Sequence, residues 1–154
     1  MKKPKLLKLP GIQAGIAGEY LVAAELTRRG YVASLTLRNT RGIDILASNS
    51  DATKSVGIQV KTSQGANARW MMNKKAEVDL AENLFYVLVC LVPHAVPTFY
   101  IVPRRIVATY VRESHERWLK TLGKGGKRHR DSNLRSFRDQ NHEYKDRWEL
   151  MGLG

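Results

Sequence analysis

The stretch Gly42-Ile-Asp-Ile-Leu-Ala-Ser48, the turn Asn49-Ser-Asp-Ala-Thr-Lys54 and the run Ser55-Val-Gly-Ile-Gln-Val-Lys61 decide the fold. Two short β-branched runs flank a segment rich in turn-forming residues, which predicts a β-hairpin. Side chains alternate between the faces of a strand. Asp44 therefore points away from Ile43 and Ile45, while Gln59 and Lys61 point together, away from Ile58 and Val60. An acid, an amide and a lysine thus occupy polar positions on two otherwise apolar strands. Burying such groups costs free energy unless they are paired or bind an ion.

The surrounding chain is basic. Its 154 residues suit one domain with a real core, and a hydrophobic content of 43% fits a folded globular chain. A formal charge of +12 attracts polyanions, so nucleic acid leads the expected partners, with an anionic membrane surface second. Cys90 is the one cysteine, which excludes an intrachain disulfide and a thiolate zinc cluster; within the apolar run Tyr86–Val92 it is expected to pack as a small hydrophobe. No apolar stretch is long enough to span a bilayer. The basic start Met1–Lys5 precedes a Leu6–Pro10 segment too short and broken for a signal peptide, so the expected location is the cytoplasm.

Upstream of the hairpin, Gly11 to Gly30 reads as a helix with Arg28 and Arg29 at its negative end and Gly30 as terminator. Ile12, Ile16, Val22, Ala23 and Leu26 form its apolar stripe, and Glu19 falls within it. Tyr31–Leu37 is an expected strand, followed by the polar loop Arg38–Arg41. Downstream, Thr62–Lys75 has no clear assignment around its large aromatic Trp70, and Glu77–Asn83 reads as a loop or short helical turn. Phe85–Val92 predicts a strand covered on both faces, and Thr98–Val102 predicts another. Pro103 suits the first position of a helix to about Leu122, with Ile106, Val107, Tyr110, Val111, Trp118, Leu119 and Leu122 as its apolar side. A core at 1–122 is then followed by a basic extension at 123–154. It opens on the flexible, cationic Gly123–Arg130, and its aromatics Phe137, Tyr144 and Trp148 are expected to dock back.

Two acids, an amide oxygen and a lysine can hold a hard divalent ion beside a phosphate. Magnesium prefers oxygen ligands and is usually held by one or two carboxylates with waters and phosphate oxygens. Asp44 is the expected principal ligand, with Glu19 direct or through water, and the Gln59 amide oxygen and Val60 carbonyl completing the protein side. Lys61 is placed to orient or deprotonate the attacking water, or to stabilise transition-state charge. Such a set suits phosphodiester hydrolysis.

The order Glu19, Gly42-Ile-Asp44, Gln59-Val-Lys61 resembles the PD-(D/E)XK nuclease superfamily. The helix Ala17-Gly-Glu-Tyr-Leu-Val-Ala-Ala-Glu-Leu-Thr-Arg-Arg-Gly-Tyr31 is similar to the first helix of its Holliday-junction-resolvase-like members. The resemblance implies an α/β, restriction-endonuclease-like three-layer core, in which a central mixed β-sheet is flanked by helices. It also implies a magnesium-dependent endonuclease acting on DNA, with manganese as a substitute ion and Glu19, Asp44, Gln59 and Lys61 as the catalytic set. The motif departs from the family at Gln59, where an acid is expected, and at Ile43, where proline is expected. The loss of one negative charge at 59 supports an alternative: an inactive nucleic-acid-binding module, or a subunit of a larger defence or repair complex, on the same fold.

Other features carry less. His94, His115, His129 and His142 lack metal-ligand spacing, no nucleophile elbow is present, and the glycines after Leu122 lack the Walker spacing. Lys124, Lys127, Arg128 and Arg130 are candidate contacts to a nucleic-acid backbone, as against a solvated linker. Trp70 is a candidate for base stacking, as against a core aromatic. Homodimerisation is one way for a small domain to address two strands.

Overall fold

The computed structural model describes residues 7–37, 42–78 and 81–154. The basic lead-in at 1–6, the loop Arg38–Arg41 and positions 79–80 lie outside the described residues. Helix α1 (Gly11–Arg28) precedes β1 (Val32–Leu35), β2 (Ile45–Ser48) and β3 (Ser55–Ser63). After β4 (Arg69–Asn73) and a 3-10 turn (Lys74–Glu77) come β5 (Leu84–Cys90), β6 (Thr98–Pro103) and α2 (Arg104–Lys120). A 3-10 turn (Lys124–Gly126), strand β7 (Leu134–Arg138) and a third 3-10 turn (Trp148–Met151) follow.

The predicted hairpin is present. β2 and β3 pair antiparallel with Ile45 opposite Ile58. Asn49 closes the turn, its Oδ1 accepting from the Lys54 N–H at 2.9 Å. The main sheet runs β1-β2-β3-β5-β6, with β3 and β5 parallel and the other neighbours antiparallel. A parallel pair needs a long crossover, and β4 with its 3-10 turn supplies it. β4 itself leaves the main sheet and pairs with β7, Trp70 facing Phe137 in register.

Each face of the sheet has its own core. On one, α1 and the C-terminal turn bury Val22, Leu26, Ile45, Ile58, Val87, Val89, Ile101, Trp148 and Met151. On the other, α2 and the β4–β7 ribbon bury Trp70, Met72, Tyr86, Leu88, Tyr100, Val102, Val107, Val111 and Phe137. This is the expected three-layer α/β architecture around a mixed sheet.

Three expectations are corrected. The buried ridge of α1 is Ala14, Gly18, Val22 and Leu26, while Ile12 is 75% exposed. The helix lies so close to β3 that no side chain fits at 18: a Cβ on Gly18 would stand 1.9 Å from Thr62 Oγ1. Glu19 is half-buried beside that ridge rather than central to it. In α2 the buried side is Arg104, Val107, Ala108 and Val111. Its C-terminal half runs past the core, so Trp118 and Leu122 are exposed. Trp118 is covered instead by His115 and His129, whose rings stack on it. Thr62–Lys75, unassigned above, carries β4, in which Arg69, Met71 and Asn73 are exposed and Trp70 and Met72 buried.

Candidate active site

The fork between β2 and β3 builds the site. Asp44 precedes β2 and donates its backbone N–H to Ile58 O at 2.8 Å, the last such rung before the strands part. The Val60 N–H would otherwise face that gap. It donates instead to Asp44 Oδ2 at 2.7 Å. The carboxylate thereby stands in for a missing ladder carbonyl and is fixed against the backbone between Gln59 and Lys61.

Alternation does the rest. Val56, Ile58 and Val60 face the α1 core, and Gln59 and Lys61 face the other side, where they line a cleft of about 640 Å³. Gly42, Ile43, Asn73, Lys75, Tyr86 and Arg104 are among its walls. Tyr86 lies opposite Gln59 in the parallel ladder. Burial pushes its phenol up, nearby Arg104 pulls it down and Asp44 raises it again. The phenol is therefore neutral around pH 7 and sits in the fields of both the acid and the arginine.

Gly42 makes the entry to the fork. Its φ of +66° is a left-handed conformation that an L side chain adopts only with strain. A Cβ there would lie 3.6 Å from Arg104 Nη1 and 3.8 Å from Gln59 Oε1, so both groups border this glycine.

The structure thus brings Asp44, Gln59, Val60 and Lys61 together at one fork. Glu19 comes from the opposite face: it follows Gly18 on α1, at the level of Val60 and Thr62. Among the described residues no three His, Cys, Asp or Glu side chains cluster to hold a metal. The oxygen donors at the fork are the Asp44 carboxylate and the Gln59 amide, with Glu19 on the α1 side; magnesium takes such oxygen ligands together with waters and phosphate oxygens.

The remaining candidates lie elsewhere. Trp70 is 1% exposed, its Nε1 donates to Val89 O at 2.9 Å, and Tyr100 and Phe137 pack against it. It is a core residue with no surface on which a base can stack. Lys124, Lys127, Arg128 and Arg130 are exposed. α2 begins in the cleft at Arg104 and carries the chain away for its 17 residues, about 25 Å at the helical rise. The basic stretch begins past its far end. There the Gly123 N–H donates to Lys127 O, and Asp131 receives His115 Nε2 at 2.7 Å.

Sequence reasoning missed Tyr86, Lys75 and Arg104 in the cleft. Arg104 had one available signal. It opens a helix whose first turn holds no acid, where the dipole disfavours a cation, so its position calls for another reason.

A mixed sheet with a helical layer on each face, and an acid clamped at the fork of the second and third strands, defines the restriction-endonuclease-like class of folds. Among solved structures, the chain is similar to a Holliday junction resolvase, Hjc, from the archaeal hyperthermophile Archaeoglobus fulgidus. The likeness covers 91% of this chain and 97% of that one, with a TM-score of 0.52 and 14% sequence identity. It bears out the expected restriction-endonuclease-like α/β fold, and at that identity it speaks for fold alone. No family model matches the sequence, and no curated protein matches it.

Proposed function

We propose that the chain is a divalent-metal-dependent nuclease that hydrolyses phosphodiester bonds in DNA at the β2–β3 fork. The observation that carries this reading is the Asp44–Val60 hydrogen bond. It fixes a carboxylate between Gln59 and Lys61, beside a cleft whose charged walls are cationic. Asp44, Glu19, the Gln59 amide oxygen and the Val60 carbonyl are the groups that would hold magnesium or manganese. When bound, such an ion lowers the pKa of a water and neutralises charge on the phosphate. The protein's own share is positional. Asp44 is held in one orientation by Val60, so little reorganisation accompanies reaction. Lys61, on the same face as Gln59, directs its ammonium at the attacking water or at a non-bridging phosphate oxygen. Gln59 donates or accepts a hydrogen bond without adding charge.

The neutral Gln59 also favours a second reading, a DNA-binding module or complex subunit on the same fold that does not cut alone. A homodimer belongs to the nuclease proposal because cutting two strands needs two sites. The test is incubation with a four-way junction, linear duplex and single-stranded DNA in magnesium, manganese or EDTA. The nuclease reading expects cleavage in either metal and none in EDTA. Tight binding to all substrates without cleavage in any metal would support the second reading.

A further inference from the structure

Arg104 is buried, at 8% exposure. A buried cation is costly unless matched by an opposite charge. This chain shows what a matched one looks like. Arg135, 5% exposed on the same side of the sheet, has its Nε on Glu77 Oε1 at 2.5 Å and its Nη1 on the Ser132 and Leu134 carbonyls. Arg104 is held differently. Its Nε donates to Val78 O at 3.2 Å and its guanidinium lies 5.5 Å from the Tyr86 ring centre. Among the described residues it belongs to no ion pair. Its Nη1 reaches Gly42 in the cleft wall, where Gln59 Oε1 is the other neighbour. The described cleft walls carry Lys61, Lys75 and Arg104 and no carboxylate.

We infer that Arg104 is a phosphate-binding residue of this cleft, aimed by Val78 and Tyr86 at a backbone phosphate of bound nucleic acid, and that Gln59 is neutral so that Arg104 remains available to that phosphate. The inference rests on the nucleic-acid reading of the same cleft. A planar guanidinium gives a phosphate two parallel hydrogen bonds, which a lysine cannot. A carboxylate at 59 would compete for it: beside Gly42 it would attract the guanidinium and turn it inward. The departure from the acid expected at 59 is then matched to Arg104.

The test is binding of a short fluorescent DNA duplex in EDTA across a salt series. Arg104→Gln is expected to weaken binding roughly 10-fold or more and to lower the slope of log affinity against log salt by about one. Arg104→Lys is expected to keep most of the slope but not the affinity. Gln59→Glu is expected to weaken binding as Arg104→Gln does, and to add little in the double variant. In the wild-type protein, DNA is expected to shift the Arg104 Nε–Hε resonance, a readout that needs no variant to fold. Unchanged affinity and slope in folded Arg104→Gln, or a resonance that saturating DNA leaves in place, overturns the inference. None of these readouts needs cleavage. A protein that never cuts yet reports DNA through Arg104 loses the nuclease reading and keeps this one; a protein that cuts while Arg104 stays silent does the reverse.

Discussion

Asp44 does two jobs with one carboxylate, and they separate by substitution. One oxygen closes the β2–β3 fork by accepting the Val60 N–H; the negative charge is what the proposed chemistry needs. Asp44→Asn keeps an acceptor oxygen and loses the charge. It is expected to stay within about 1 kcal/mol of wild-type stability while cleavage falls on the order of a thousandfold. Asp44→Ala also orphans the Val60 N–H and is expected to lose about 1–3 kcal/mol. Urea denaturation beside a cleavage assay separates the two effects. The alternation of Ile43-Asp-Ile45 and Ile58-Gln-Val-Lys61 marked these three as polar groups on apolar strands and put Gln59 and Lys61 on one face. The bond to Val60 was not legible, because it depends on where the two strands part. Arg104 and Tyr86 enter the cleft from elements 45 and 27 residues beyond Gln59, which no local pattern connects.

At the scale of elements, α1 lies tight against β3. Gly18 admits Thr62 because it has no Cβ, and Thr62 Oγ1 is buried there without a hydrogen-bond partner among the described residues. Gly18→Ala is expected to force the helix or the strand aside and to cost about 1–3 kcal/mol, read as a lower urea midpoint. Thr62→Ala removes the obstructing hydroxyl, so the double variant is expected to recover much of that loss; independent additive losses would mean that the two residues do not meet. Thr62 follows Lys61, and a shift of β3 also displaces the cleft, so Gly18→Ala is expected to lower cleavage as well. The helix was legible in its bounds but not in its buried ridge. Large aliphatics at 12 and 16 outweighed Ala14 and Gly18 in a reading by hydrophobicity, whereas the space between helix and sheet favours the small residues. β4 was hidden for a different reason. Its partner β7 lies about 65 residues away, and a two-stranded ribbon of alternating Arg, Trp, Met, Met and Asn gives too short a signal without that partner.

Within a chain of net charge +12, two groups of cations bear on a nucleic-acid partner. Lys61, Lys75 and Arg104 line the cleft; Lys124, Lys127, Arg128 and Arg130 follow the other end of α2. These four are not among the cleft walls, so they are expected to change encounter and binding rather than the reacting geometry. Replacing those four residues with alanine is expected to weaken DNA binding and flatten its salt dependence by up to about four in slope. The turnover of saturated enzyme should stay close to wild type, so that KM carries the change. A fall in kcat at unchanged KM would place the basic loop at the reacting phosphate instead. This grouping was only half legible: the composition announced a polyanion partner, while which cations line the cleft came from the fold.

The measurement that bears most directly on the proposed nuclease is magnesium- or manganese-dependent DNA cleavage by wild type, Asp44→Ala and Lys61→Ala, with folding of each checked by circular dichroism. The β2–β3 fork as catalytic site predicts cutting by wild type alone, with both variants folded and still binding DNA. Cutting that survives either substitution, or three folded proteins that bind DNA equally and never cut, would contradict it.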